Sequence, residues 1–413
     1  MKKLAIIFVT IFVLFLVLLP TIIGQAVSCG GQDEPGATPT PNQTGSGAGQ
    51  LEPGATPTLT LTGPTREGSE RVIAQIDPRW IEESLTISPD TRRVAYVVQA
   101  GDKRSAVVDG IEGKQYDGLG SDSLIFSPDS KRVAYWAIAG NKWFVVVDGI
   151  EGKQYDLIGE ATFSPDSQRV AYLAQVDKKW FVVVDGIEGK QYDAVGSLIF
   201  SSDSKRLAYL AQVGDKPFTV VDGIEGKQYD GVGEVVFSPD SQRVAYLAKA
   251  GDNQFAIVDG TEGNQYAGVN SLIFSPDSKR VAYLAQVDSN WLVIVDGTEG
   301  KQYAGIGEVI FSPDSQRVAY WAIAGGTQLV VIDKTEGNQY DTVKAGSLIF
   351  SPDSKRLAYW AKVGDKQVAV VDNVHGKPYT SQLQGGIVFD SASSLHYLVL
   401  EGNRVYRVEE TLE

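Results

Sequence analysis

One stretch is written again and again along this chain. From Phe274 to Tyr303 it reads FSPDSKRVAYLAQVDSNWLVIVDGTEGKQY. Close copies begin at Ile87, Phe126, Phe163, Phe200, Phe237, Phe311 and Phe350, and a degenerate one begins at Phe389. Ile87 to Tyr116, Phe163 to Tyr192 and Phe350 to Tyr379 each span 29 positions. Asp129, Asp166, Asp203, Asp240, Asp277 and Asp314 recur every 37 residues. A fixed period of this length marks one supersecondary unit repeated, and it constrains the fold more than any local propensity.

Each copy divides into four short strands. Residues 271–274 form an apolar run, strand A, and Ser275, Pro276, Asp277 and Ser278 supply turn chemistry after it. Residues 280–285 form strand B, residues 287–290 a polar turn, and residues 291–295 a β-branched strand C. Asp296 and Gly297 open a hairpin turn into a short polar strand D that ends at Tyr303. Strands B and C are apolar on both faces, as expected of a sheet packed between two neighbours. No copy could bury both faces alone, so the copies must stack. Four antiparallel strands in about 37 residues are the blade of a β-propeller, and an open β-solenoid is the other architecture with such a repeat.

The motif FSPDSKRVAYLA, followed by an apolar strand and a Gly turn, resembles the TolB-like, WD-repeat-like propeller repeat of bacterial exported proteins. The resemblance covers roughly residues 70–409. It implies an all-β propeller with strand A innermost, and it specifies fold rather than function. TolB itself carries a separate N-terminal α/β domain, for which this chain has no room, so its partners are not carried over.

Strand A recurs near Ser84, Ser123, Glu160, Ser197, Glu234, Ser271, Glu308, Ser347 and Gly386, which predicts nine blades, with eight as the alternative. The last copy ends after strand C. Residues 71–76 are a candidate for its missing fourth strand, which would close the ring.

Ahead of the repeats lie two other segments. Residues 1–28 pair a basic start with a long apolar run, and a small-residue stretch ends at Cys29, the chain's one cysteine. The pattern resembles a bacterial lipoprotein signal with Cys29 lipidated; an uncleaved membrane anchor is the alternative. Residues 29–66 are rich in Gly, Pro and Thr and read as a disordered linker that lifts the propeller, residues 67–413, from a membrane. The expected location is outside the cytoplasm, facing the periplasm or the cell exterior. A net charge of −14 argues against nucleic acid.

Comparison of the copies singles out positions. Length varies between the Tyr and the next strand A, and sequence varies in the turn between strands B and C. In a propeller these lie on one face, while the constant SPDS and DGxEG turns lie on the other. Variation points to the first face as the binding face. Glu160, Glu234 and Glu308 alternate with serines at the start of strand A and are candidate ligand or cation residues. Trp143, Trp180 and Trp291 open strand C, where other copies have Arg or Gln, and are candidates for stacking on a sugar or anchoring a protein. Trp136, Trp321 and Trp360, inside strand B, are expected in the core.

The DGxEG acids lack the ligand run of a calcium loop and read as turns. His375 and His396, the chain's two histidines, have no partner motif. No catalytic residue, metal site or cofactor is expected. The reading is a monomeric, membrane-tethered propeller that binds a protein or a repetitive polymer, with a carbohydrate-binding propeller as the alternative.

Overall fold

The computed structural model describes residues 72–412. The expected signal segment, Cys29 and the linker therefore lie outside the described residues. The description below is of the unit Ile73–Glu413.

Among the described residues the chain forms nine antiparallel sheets, one for each copy of the repeat. These are the blades of an all-β propeller, numbered 1 to 9 here in chain order. Blade 3 is typical: Leu157–Phe163, Val170–Val176, Lys179–Val184 and Ile187–Glu188 are its strands A to D, and they pair in that order. Strand B is apolar on both sides because each side meets a different neighbour. Tyr172 and Ala174 pack in the cluster shared with blade 2, while Ala171 and Leu173 pack in the cluster shared with blade 4.

The constant turns explain themselves once their hydrogen bonds are counted. In blade 2, Ser127 Oγ donates to Asp129 Oδ1 at 2.7 Å, and the Lys131 N–H donates to the same oxygen at 3.1 Å. Ser130 closes the turn in the left-handed region, at φ 65°. Its Oγ accepts the Asp90 N–H of blade 1 at 3.0 Å. The same bond recurs between each successive pair of blades as far as Asp314 and Ser354, at 2.9 Å. The DG turn takes φ 52° at Asp148 and 80° at Gly149, as a two-residue hairpin loop with right-handed strand twist requires. Asp148 accepts from Val133 N–H at 2.9 Å and from Arg132 Nε at 2.8 Å.

Arg132 then crosses into blade 3. Its guanidinium donates to the Gln168 carbonyl at 2.8 Å and lies 5.3 Å from the centre of the Phe163 ring. A planar fork that pairs with a carboxylate, caps carbonyls and lies over a ring needs Arg rather than Lys. This explains why the sequence alternates Lys and Gln just before this Arg while the Arg itself never changes. The Glu of each DGxEG turn is the other tie: Lys114 pairs with Glu151 at 2.6 Å and Lys301 with Glu336 at 2.7 Å, each from one blade to the next. Of the turn acids, the Asp thus holds its own hairpin and the Glu holds one blade to the next.

The chain ends depart from the repeat. The last sheet has three strands, Ser381–Ser391, Ser394–Glu401 and Arg404–Thr411. Among the described residues, 72–76 of the expected fourth strand are not in it. Instead Ile76 packs with Trp80 on Tyr96, Val98 and Val107 of blade 1, and Trp80 bridges Val98. The reason is electrostatic as well as apolar. Arg79 pairs with Glu112 at 2.8 Å, filling the place that a Lys from a preceding blade fills elsewhere. The segment therefore caps the first blade.

Candidate functional site

The face that varies between copies is built from the turn joining strands B and C and the connection from strand D to the next strand A. One aspartate holds these together. Asp156, just after Tyr155, pairs with Lys142 of its own blade at 2.6 Å and accepts the Asp177 N–H from the turn of blade 3 at 2.9 Å. Asp193 does the same with Lys179 at 2.5 Å and the Gly214 N–H at 2.8 Å. Asp117 and Asp230 repeat it with Lys103 and Lys216. Asp117, Asp156, Asp193 and Asp230 are all held below the usual carboxylate range, chiefly by the lysine hydrogen bond and then by the turn N–H.

Two blades lack this latch. In blades 5 and 6 the Asp is replaced by Ala267 and Ala304, and the partner Lys by Asn253 and Asn290. Acid and base are lost together, as expected of a pair. Asn253 turns to Gln265 instead, at 2.9 Å. Among the described residues, the turns that follow, at Asp288 and Gly325, therefore have no carboxylate holding their N–H groups from the preceding connection. Blade 7 regains half of the latch: Asp341 accepts the Gly364 N–H at 2.6 Å. Between blades 8 and 9 the tie is reversed, with Glu401 accepting from the Thr380 N–H at 2.7 Å and pairing with Lys366 at 3.5 Å. The repeated Tyr-Asp and its lysine were visible in the sequence as a co-varying pair, but the sequence reading did not pick them out.

The unlatched sector carries other departures. Asn270 stands where blades 2 to 5 and 7 have Gly120, Gly159, Gly196, Gly233 and Gly307. Its Oδ1 is buried without a hydrogen-bond partner, as is Nε1 of Trp321 in blade 7. A Cβ at Gly307 would lie 2.0 Å from the Trp321 ring, so the glycine there makes room for the indole.

The tryptophans singled out from the sequence are all half-buried. Trp143 packs in the cluster shared with blade 3 and lies 4.5 Å, centre to centre, from Trp136. Trp180 packs in the cluster shared with blade 4, and Trp291 in the one shared with blade 7. Trp360 is buried, whereas Trp136 and Trp321 are only partly so. The structure does not gather the three glutamates into one site. Glu160 and Glu234 are exposed and have no hydrogen-bond partner among the described residues, and partial desolvation raises the Glu160 pKa. Glu308 is half-buried and accepts the Gly346 N–H from the longer connection of blade 8, at 2.9 Å. No group of three potential metal ligands occurs among the described residues. His396 Nδ1 lies 2.8 Å from Asp390, and among the described residues no hydroxyl reaches the ring's other nitrogen; His375 is exposed in its turn.

No protein-family model matches this chain, and no curated protein matches it. Solved propellers do. A eukaryotic initiation factor is similar over 78% of this chain and 96% of its own, at 12% identity and a TM-score of 0.39. The β-propeller domain of the Trilobed protease from Pyrococcus furiosus, which has an open velcro topology, is similar over 64% of this chain and 96% of its own, at 13% identity and a TM-score of 0.30. TolB from Acinetobacter baumannii is similar over 58% of this chain and 75% of its own, at 14% identity and a TM-score of 0.26.

Proposed function

We propose that this chain is an exported, membrane-tethered propeller that serves as a protein-interaction scaffold. Its binding face carries the turns between strands B and C, centred on blades 5 to 7. The observation that carries this reading is the loss of the latch. On the opposite face the Ser, Asp and Arg groups of the repeated turns are consumed in bonds within and between blades. On the binding face blades 5 and 6 lack the latch, which leaves the N–H groups of the following turns, at Asp288 and Gly325, without it. Function tends to sit where a rigid scaffold presents loops that tolerate change. Near-identical turns on successive blades would suit a partner that is itself repetitive, through multivalency. The tether rests on the sequence of residues 1–29 alone.

The test installs the missing latches. Asn253→Lys with Ala267→Asp, and Asn290→Lys with Ala304→Asp, leave the net charge unchanged. Capture of cell-envelope proteins by the full chain should fall in this variant. A glycan array run in parallel, with Trp143→Ala/Trp180→Ala as control, tests the carbohydrate alternative. Capture unaffected by the latches would refute the placement of the face.

A further inference from the structure

Among the described residues the last sheet has three strands, without the fourth that the other sheets have. In blade 2, strand D pairs Ile150 with Val147 and Glu151 with Val146, and its Tyr155 bridges Trp143. Gly152 donates to the Val145 carbonyl at 2.8 Å. The register of blade 9 shows which residues are left waiting. Tyr397 opposes Val408 there as Tyr135 opposes Val146 in blade 2. Val405, Arg407 and Glu409 therefore occupy the places of Trp143, Val145 and Val147. Among the described residues no backbone hydrogen bond reaches these three from the free side. Val405 is 61% exposed, and Leu398, on the same side of the sheet, 37%.

A second observation points to what belongs on that edge. In blades 2 to 7 the Glu of strand D reaches back to the preceding blade. Lys153 pairs with Glu188 at 2.6 Å, Lys190 with Glu225 at 2.7 Å and Lys227 with Glu262 at 2.7 Å. The Tyr hydroxyls join in: Tyr229 donates to Glu262 at 2.9 Å and Tyr303 to Glu336 at 2.7 Å. Blade 8 keeps both donors, as Lys377 and Tyr379. Among the described residues Lys377 has no carboxylate partner and lies over the Tyr379 ring, 5.4 Å from its centre. The Tyr379 hydroxyl donates to nothing there. Glu410, the nearby acid of the third strand, is taken by the Tyr397 hydroxyl.

We propose that the free edge of Arg404–Thr411 is a docking site for an extended segment of a partner protein, bound as the fourth strand of blade 9. The segment carries an acidic residue that lands on Lys377 and the Tyr379 hydroxyl, and an aromatic residue four positions later that covers Val405. Main-chain bonds to Val405, Arg407 and Glu409 hold it, and the acid sets its register. The pattern is that of the chain's own fourth strands, in which Glu151 is followed by Tyr155. This edge is separate from the latch-free turns and stands or falls without them.

The probe is a labelled peptide of residues 148–156, DGIEGKQYD, added to the full chain in detergent micelles. It should bind saturably and slow amide exchange at Val405, Arg407 and Glu409. A Glu151→Lys peptide should bind about fivefold more weakly, the upper range for one exposed ion pair. The protein variant Lys377→Glu, an exposed site, should reverse that preference. Absence of binding overturns the proposal, as does binding that leaves those amides unprotected or a preference that does not reverse. Amides already protected before the peptide is added would also overturn it, because the edge would then be filled by the chain itself or by a second copy.

Discussion

Gly307→Ala tests the packing argument at one atom. The added methyl would meet the Trp321 ring at 2.0 Å, and the backbone there is not in the left-handed region. The indole must swing out of its place, and overpacking of this kind costs about 1–3 kcal/mol. The repeat supplies its own control. Gly196 is the same position in blade 4, where strand B carries Leu210, and its Cβ would meet nothing within 4 Å. Gly196→Ala should therefore be neutral or stabilising by about 0.4–1 kcal/mol, because the unfolded chain loses freedom. Blade 6 shows the compensated form, with Asn270 facing Leu284. Trp321→Leu should accordingly relieve most of the cost of Gly307→Ala, with a coupling energy of about 1 kcal/mol or more. Urea midpoints and near-ultraviolet circular dichroism of the wild type, the three single variants and the double variant decide the matter. Equal effects at Gly307 and Gly196, or no relief from Trp321→Leu, would refute the assignment of the glycine to the indole.

Other expectations follow from the ties between blades. Arg243→Lys keeps the charge but loses the fork that reaches the Lys279 carbonyl at 2.7 Å and the contact with Phe274; it should destabilise by about 1–3 kcal/mol, read as a lower urea midpoint. The Asp of the SPDS turn is held low in the folded state, Asp129 to about 2 against an ordinary 3.8, by hydrogen bonds from Ser127 and the Lys131 N–H. Its folded value lies below its unfolded one, so its contribution is complete above the unfolded value and is lost as pH falls through the folded value. The thermal midpoint should hold down to about pH 4 and drop between there and about pH 2. Asp166, Asp203, Asp240, Asp277 and Asp314 are lowered in the same way, which should make the drop steep. Asp193→Ala should speed amide exchange at Gly214 while leaving the urea midpoint nearly unchanged, since the latch is exposed.

Much of this was legible in the sequence, for reasons that particular residues make plain. The period gave nine sheets because each blade repeats a whole set of hydrogen bonds, and the DG pairs marked the hairpins because Asp148 and Gly149 both need positive φ. Residues 72–76 read as a strand because a short apolar run looks like one wherever it sits; Arg79 and Trp80, a few residues on, place the segment with blade 1. The tryptophans opening strand C looked exposed because Arg and Gln share their position. The structure lets a half-buried ring and a long polar chain occupy the same place: Arg104 bonds the Leu119 carbonyl and Gln254 accepts from the Val269 N–H there. The latch was harder to see, since Lys and Asp are common, and its meaning lies in the two blades that lose both partners together.

The most direct test of the central claim is amide exchange across the face of blades 5 to 7 in the full chain, with and without the envelope partner it captures. Partner binding should slow exchange at the turns around Asp288 and Gly325, and the variant with both latches installed should lose the partner and the effect together. Protection confined to the SPDS turns of the opposite face would contradict it.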